Sequence, residues 1–160
     1  MTLGDIALRL AISTILSAVI GIEREIHKRA AGFRTHILVC LGSTLFMLTS
    51  ISVAVTYSSA GAVDPSRIAA GVVTGIGFLG AGAIMRYGES IKGLTTAASV
   101  WVVAAIGLSV GAGMYGAAVM TTVVVLVVLV FSTLQEKFEA RRDDLIRKLN
   151  GKKDTERTGR

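Results

Sequence analysis

The stretch that decides the fold is GLTTAASVWVVAAIGLSVGAGMYGAAVMTTVVVLVVLVFSTLQ, residues 93–135, which runs 43 positions without an Asp, Glu, Lys or Arg. A water-facing surface does not accommodate such a run. As one helix it would reach roughly 64 Å at about 1.5 Å per residue, twice the roughly 30 Å hydrocarbon thickness of a bilayer, so it is predicted to fold back as two spans, 93–111 and 114–133. The turn falls within Gly111 to Tyr115, where Gly111, Ala112 and Gly113 interrupt the larger side chains.

Working outward, residues 6–22, 37–57 and 68–85 are three further apolar stretches, each about the length needed to cross with some tilt. The expected fold is therefore an all-α, polytopic membrane helix bundle of five transmembrane helices. Composition agrees: 52% hydrophobic residues, 18 glycines and a single proline in 160 residues, with a mean hydropathy of +0.65, fit a membrane protein whose helices approach closely at glycine. Cys40 is the only cysteine, so no intramolecular disulfide forms, and its apolar surroundings make it a buried small hydrophobe. The first residues carry Asp5 and no basic residue before Arg9, unlike a cleaved signal peptide.

Charge sets the expected orientation. Of the 17 Lys and Arg, four (Arg24, Lys28, Arg29, Arg34) fall in the first connection, two (Arg86, Lys92) in the third, and nine after Thr133. Those fifteen lie on one side of a five-span chain; Arg9 and Arg67 do not. The positive-inside rule then places the amino terminus outside and the carboxy terminus in the cytoplasm. Topology thus accounts for the net charge of +6, and nucleic-acid binding, the reading for a soluble chain this basic, is set aside. Asp64-Pro65-Ser66 is predicted to start the third helix, with Asp64 as N-cap and Pro65 at the first helical position. Leu134, Phe138, Leu145 and Leu149 share a face among charges, so residues 134–160 are predicted as a short cytoplasmic amphipathic helix and a disordered end, separate from a membrane domain at 1–133.

Three blocks are too polar or too glycine-rich for ordinary lipid-facing helix: GIERE through AGFRTH at 21–36, GVVTGIGFLGAG at 71–82 and GLTTAASVW at 93–101. Together with DPSRIAA just before the second block, they resemble the MgtC/SapB family of bacterial inner-membrane proteins over roughly residues 21–113. The resemblance implies a compact membrane domain in the bacterial inner membrane, associated with growth in low magnesium and, in pathogens, with survival inside host cells. Two departures stand out. Gly71 occupies a position where relatives commonly carry Gln, and about 27 residues follow Thr133 where full members carry a sizeable soluble domain.

The candidate site residues each allow two readings. Gly75, Gly77 and Gly80 match G-x-G-x-x-G, but no strand precedes them and no acidic residue follows at the required distance, so a dinucleotide site is not expected. Gly71 with Gly75, and Gly107 with Gly111, form G-x-x-x-G pairs suited to close helix packing. Alternatively, the glycines through Gly82, with Thr74 among them, break the third helix and line a polar cavity. Glu23 and Arg24 sit at the cytoplasmic end of the first span, Arg34 and Thr35 at the start of the second, where a Glu23 to Arg34 ion pair would lock the helices or leave Glu23 as a cation or proton site. Asp5, Arg9, Ser13 and Ser17 form a polar stripe on one helix face, either a pathway or the seam of a homodimer, with the dimer favoured. Thr95, Thr96 and Ser99 satisfy a kinked fourth helix or offer oxygen ligands. Arg67 belongs at the outer membrane edge, and Trp101 inside the bundle.

His27 and His36 have no companion ligands at metal spacing, and no catalytic set or phosphate loop is present, so no enzyme and no bound cofactor are expected. The leading reading is a non-enzymatic protein that modulates ion homeostasis through other membrane proteins, as a homodimer in the lipid bilayer. The alternative is a transporter or channel carrying Mg²⁺ or a monovalent cation past Glu23, Thr74 and the glycine break. Magnesium sheds water reluctantly and would want more intramembrane carboxylates than these spans provide, which ranks modulation first. A third reading gives the basic tail a lipid-binding or scaffold role.

Overall fold

A computed structural model describes residues 1–60 and 63–158, with side chains except at 60, 136, 137, 139, 140 and 143–158. It contains five helices: α1 (Leu3–Ile26), α2 (Phe33–Thr56), α3 (Ser66–Gly82), α4 (Leu94–Gly111) and α5 (Tyr115–Thr158). A short 3-10 turn, Ser58–Ala60, follows α2, and strands β1 (Met85–Tyr87) and β2 (Ser90–Lys92) separate α3 from α4. Among the described residues, four helical segments are long and apolar enough to cross a membrane: Leu3–Ile26, Phe33–Thr56, Leu94–Gly111 and Tyr115–Gln135. The third, Ser66–Gly82, is apolar but shorter.

That third segment corrects one expected boundary. The helix ends at Gly82 rather than 85, and its 17 residues give about 26 Å, a little under the hydrocarbon thickness. The next residues form a short antiparallel hairpin, with Met85 opposite Lys92 and Tyr87 opposite Ser90, within an otherwise all-helical fold. Its two-residue turn opens on Gly88 at φ 60, the backbone such tight hairpins require. Gly93 closes the hairpin at φ 92, and a Cβ there would lie 1.9 Å from the Ala83 carbonyl oxygen. Only glycine fits that junction.

Two compact units make up the chain, Met1–Leu126 and Val127–Arg160. In the first, α2 is the central helix, packed on α1, α3 and α4. Its seam with α4 is close. A Cβ on Gly107 would lie 2.4 Å from the Cys40 carbonyl oxygen and one on Gly111 2.6 Å from Met47 Cβ, so the two glycines let the backbones meet. Thr44 Oγ1 bridges the gap, donating toward its own Cys40 carbonyl at 2.9 Å or the Gly107 carbonyl at 3.0 Å. Ile20, Cys40, Val103, Ile106 and Val110 are buried in this unit, while Ala31, Ile76, Val100 and Ala104 form a second cluster with Val39 and Val72 against it. Trp101, expected inside, is 48% exposed, because α4 turns its small residues inward and this ring outward.

The second unit is the continuation of α5. Residues 134–149, expected as an amphipathic tail helix, lie within this helix, which extends through Thr158. The Leu145 and Leu149 side chains, and residues 159–160, lie outside the described residues.

Candidate functional site

The last turn of α1 carries two charges into the protein. Glu23 is 8% exposed and Arg24 1%, a burial that ionic groups accept only with partners. Arg24 Nε donates to Glu23 Oε2. On the other side of the carboxylate, His27 Nδ1 lies 3.0 Å from Oε1 and 2.8 Å from the Glu23 carbonyl oxygen. The closer carbonyl takes the hydrogen bond, which leaves Oε1 beside the ring but without a hydrogen bond among the described residues, and Arg24 Nη2 likewise has no hydrogen-bond partner there.

The chain leaves α1 by a tight C-terminal motif. Arg29 N–H donates to the Arg24 carbonyl and Lys28 N–H to the Glu25 carbonyl, both at 3.0 Å, with Lys28 in the left-handed region at φ 52. This Schellman geometry turns the backbone back at once. Glu25 then accepts from Phe33 N–H at 2.9 Å, satisfying an otherwise unpaired donor in the first turn of α2. Gly21 completes the join, since a Cβ there would lie 2.8 Å from Phe33 Cα.

One turn into α2, His36 is fully buried. Its Nδ1 lies 2.8 Å from the Gly32 carbonyl oxygen and its Nε2 3.2 Å from Ser99 Oγ on α4, whose hydroxyl also lies 2.8 Å from the Thr96 carbonyl oxygen. The charges of Glu23 and Arg24 are close enough to act on the imidazole. Glu23, Arg24, His27, His36, Thr96 and Ser99 thus make a polar cluster at one end of three helices. Sequence reasoning kept His36 out of the site because it has no metal-ligand spacing; its burial depends on which face of α2 meets α4.

Other candidates fall elsewhere. Arg34 is exposed and does not pair with Glu23, whose partners come from its own helix end. Arg34 and Thr35 instead line a surface cleft of about 590 Å³ with Glu25, Lys28, Arg29, Ala30 and Gly32. The glycine-rich helix is continuous from Ser66 to Gly82, so no break opens a cavity there. Thr74 donates to the Ala70 carbonyl of its own helix, as hydroxyls in apolar helices do. A Cβ on Gly71, Gly75, Gly77 or Gly82 would meet nothing within 4 Å, whereas Gly80 is buried against Ala97. Gly71 and Gly75 therefore pack closely against no other helix among the described residues. Thr95 is exposed.

The polar stripe of α1 also divides. Ser13 and Ser17 are wholly buried within the chain, donating to the Leu10 and Ser13 carbonyls, and are not on an outer face where a second copy would meet them. Asp5 closes a capping box with Thr2. Arg9 reaches the end of α4, donating to the Gly111 carbonyl and standing 5.9 Å from the centre of the Tyr115 ring. The third helix starts one residue later than expected, at Ser66, yet the Asp64 carboxylate still accepts Ser66 N–H at 2.8 Å. Arg67 is exposed in its first turn. Among the described residues no three His, Cys, Asp or Glu side chains gather as metal ligands.

Comparison with known proteins gives a consistent picture. The sequence profile of the MgtC family matches residues 10–138. A relative from Escherichia coli K12, named "Putative magnesium transporter YhiD", is 45% identical over 129 residues, covering 79% of this chain and 60% of the relative. Protein MgtC of Salmonella typhimurium LT2 is 43% identical over 119 residues, 74% of this chain and 48% of the relative. An uncharacterized Synechocystis protein is 41% identical over 127 residues, covering 79% and 52%. The chain thus spans about half the length of these curated relatives. No solved structure matches it.

Proposed function

The chain belongs to the MgtC family, and from that premise we propose that this membrane protein is a non-enzymatic, multi-pass component of the bacterial inner membrane that serves magnesium homeostasis by modulating other membrane proteins, as a homodimer. The distribution of basic residues supports an outside amino terminus and a cytoplasmic carboxy terminus. The observation that carries the choice of modulation over conduction is the state of Glu23. Its carboxylate is held by Arg24 on one side and faced by His27 on the other. At an effective dielectric near 20, a divalent cation beside that carboxylate would gain roughly 8 kcal/mol from Glu23 at about 4 Å and lose a similar amount to the adjoining guanidinium, so the paired site offers it little net attraction. A magnesium ion would face this in addition to losing its water.

A second reading, transport by the chain itself, is favoured by the name of its relative YhiD. Its route would pass the Glu23 cluster, because α3 is unbroken. Magnesium flux into dye-loaded liposomes containing the purified protein separates the two. Modulation predicts no flux above empty liposomes, together with recovery of a specific membrane partner by crosslinking in cells. Flux that Glu23→Gln abolishes would replace it with the transport reading.

A further inference from the structure

Between α2 and α3 runs a groove of about 650 Å³ lined by Leu38, Val39, Gly42, Ser43, Phe46, Ile68, Gly71, Val72, Gly75, Ile76 and Leu79. Ser43 contributes the only polar side chain. On α3 the lining extends from Ile68 to Leu79, about 17 Å along the axis and more than half the hydrocarbon thickness. Gly42, Gly71 and Gly75 keep its walls low, since a Cβ at any of them would meet nothing within 4 Å.

The basic cleft lies at one end of this groove. Thr35, which lines the cleft, shares a face of α2 with Leu38, Val39, Gly42 and Phe46, which line the groove, at helical spacings of three, four, seven and eleven. The loop gives the same adjacency. Ala31 is packed with Val39, Val72 and Ile76 of the groove, while its neighbours Ala30 and Gly32 line the cleft. Lys28, Arg29 and Arg34 surround the cleft against one carboxylate, Glu25, which is already engaged by Phe33 N–H.

We infer that groove and cleft together form a binding site for one anionic phospholipid, with an acyl chain along α2 and α3 and the phosphate headgroup beside Lys28 and Arg34. An apolar trough ending in net positive charge at the membrane edge matches a molecule that is oily along its length and negative at its head. A second protein helix would fill the trough and bring no anion to Lys28 and Arg34. A soluble anion would use the cleft and leave the trough empty.

The test is a lipid titration of the full-length protein in uncharged detergent, followed by native mass spectrometry. Phosphatidylglycerol and phosphatidylcholine with identical acyl chains are the probes, with inorganic phosphate as a third. The expected result is a one-to-one complex with phosphatidylglycerol favoured on the order of tenfold over phosphatidylcholine, given two basic contacts. Lys28→Gln with Arg34→Gln should remove that preference while leaving phosphatidylcholine binding unchanged, and Gly71→Leu with Gly75→Leu should weaken both lipids. Equal binding of the two lipids, a preference that survives the charge-removing pair, or displacement of phosphatidylglycerol by millimolar phosphate without loss from the groove-filling pair would overturn the site. Loss of a protein dimer in the groove-filling variant, with lipid binding intact, would assign the groove to a second copy instead.

Discussion

His36 Nε2 and Ser99 Oγ stand 3.2 Å apart, joining α2 to α4 across 63 positions of sequence with both side chains buried. The Gly32 carbonyl on the other side of the ring can only accept, so Nδ1 carries the proton and a neutral ring offers Nε2 as an acceptor. Ser99 has one proton to share between that nitrogen and the Thr96 carbonyl. Ser99→Ala leaves Nε2 buried and unpaired, an expected loss of about 1–3 kcal/mol. His36→Leu combined with Ser99→Ala removes both partners and should recover part of it. Unfolding in mixed micelles, analysed as a double-mutant cycle, measures the coupling; additive single effects would show that the contact is structurally idle.

Glycines in two helices should respond oppositely to the same change. At Gly107 and Gly111 an added Cβ collides with α2, at 2.4 Å from a carbonyl oxygen and 2.6 Å from Met47 Cβ. Alanine at either site should overpack the seam and destabilise by about 1–3 kcal/mol. At Gly71 and Gly75 the added methyl meets open space, and alanine should be neutral or stabilising by about 0.5–1 kcal/mol through helix propensity. Thermal melts of the four single variants check the contrast, and a destabilising Gly75→Ala would contradict the open position.

Hydropathy made the helices legible because the apolar runs, apart from Arg9 in the first, are uninterrupted by charge: 93–111 became Leu94–Gly111, and the turn lies within 111–115. What it missed is decided by faces and neighbours rather than by runs. The hairpin at 85–92 is too short and polar to register beside long spans, although Gly88 between alternating residues is its signature. Glu23 was paired with Arg34 from loop proximity, whereas Arg34 points out of the bundle and Arg24, adjacent in sequence, points in. The glycines of α3 were read as a break or a packing motif; once α4 takes Ile76 and Gly80, Gly71 and Gly75 are left on the groove.

Asp64 lies between α2 and α3, and hydrogen bonds from the Ser66 side chain and backbone hold its carboxyl below the ordinary value of 3.8. A depressed folded value means that its contribution is fully present above about 3.8, the unfolded value, and is lost as pH falls through the lower folded one. Asp64→Asn should therefore melt below the wild type at pH 7 and approach it below pH 3. A Tm difference that stays constant across that range would show that charge is not what Asp64 contributes.

Arg9 ties α1 to the far end of the bundle. Its guanidinium donates to the Gly111 carbonyl at the C-terminus of α4 and faces the Tyr115 ring at 5.9 Å, so it satisfies an otherwise unpaired helix-end acceptor and sits where the helix dipole is negative. Arg9 is half-buried, and its Nε has no hydrogen-bond partner among the described residues, which offsets part of that gain. Arg9→Met keeps the stem and removes the charge, with an expected loss of about 1–2 kcal/mol from the dipole and the hydrogen bond. Arg9→Lys should recover less than half, because an ammonium cannot reach the carbonyl while spreading over the ring as the planar guanidinium does. Hydrogen exchange at the α4 to α5 turn gives the local readout: faster exchange at Ala112 and Gly113 in Arg9→Met is expected, and unchanged protection there would mean that the turn holds itself without α1.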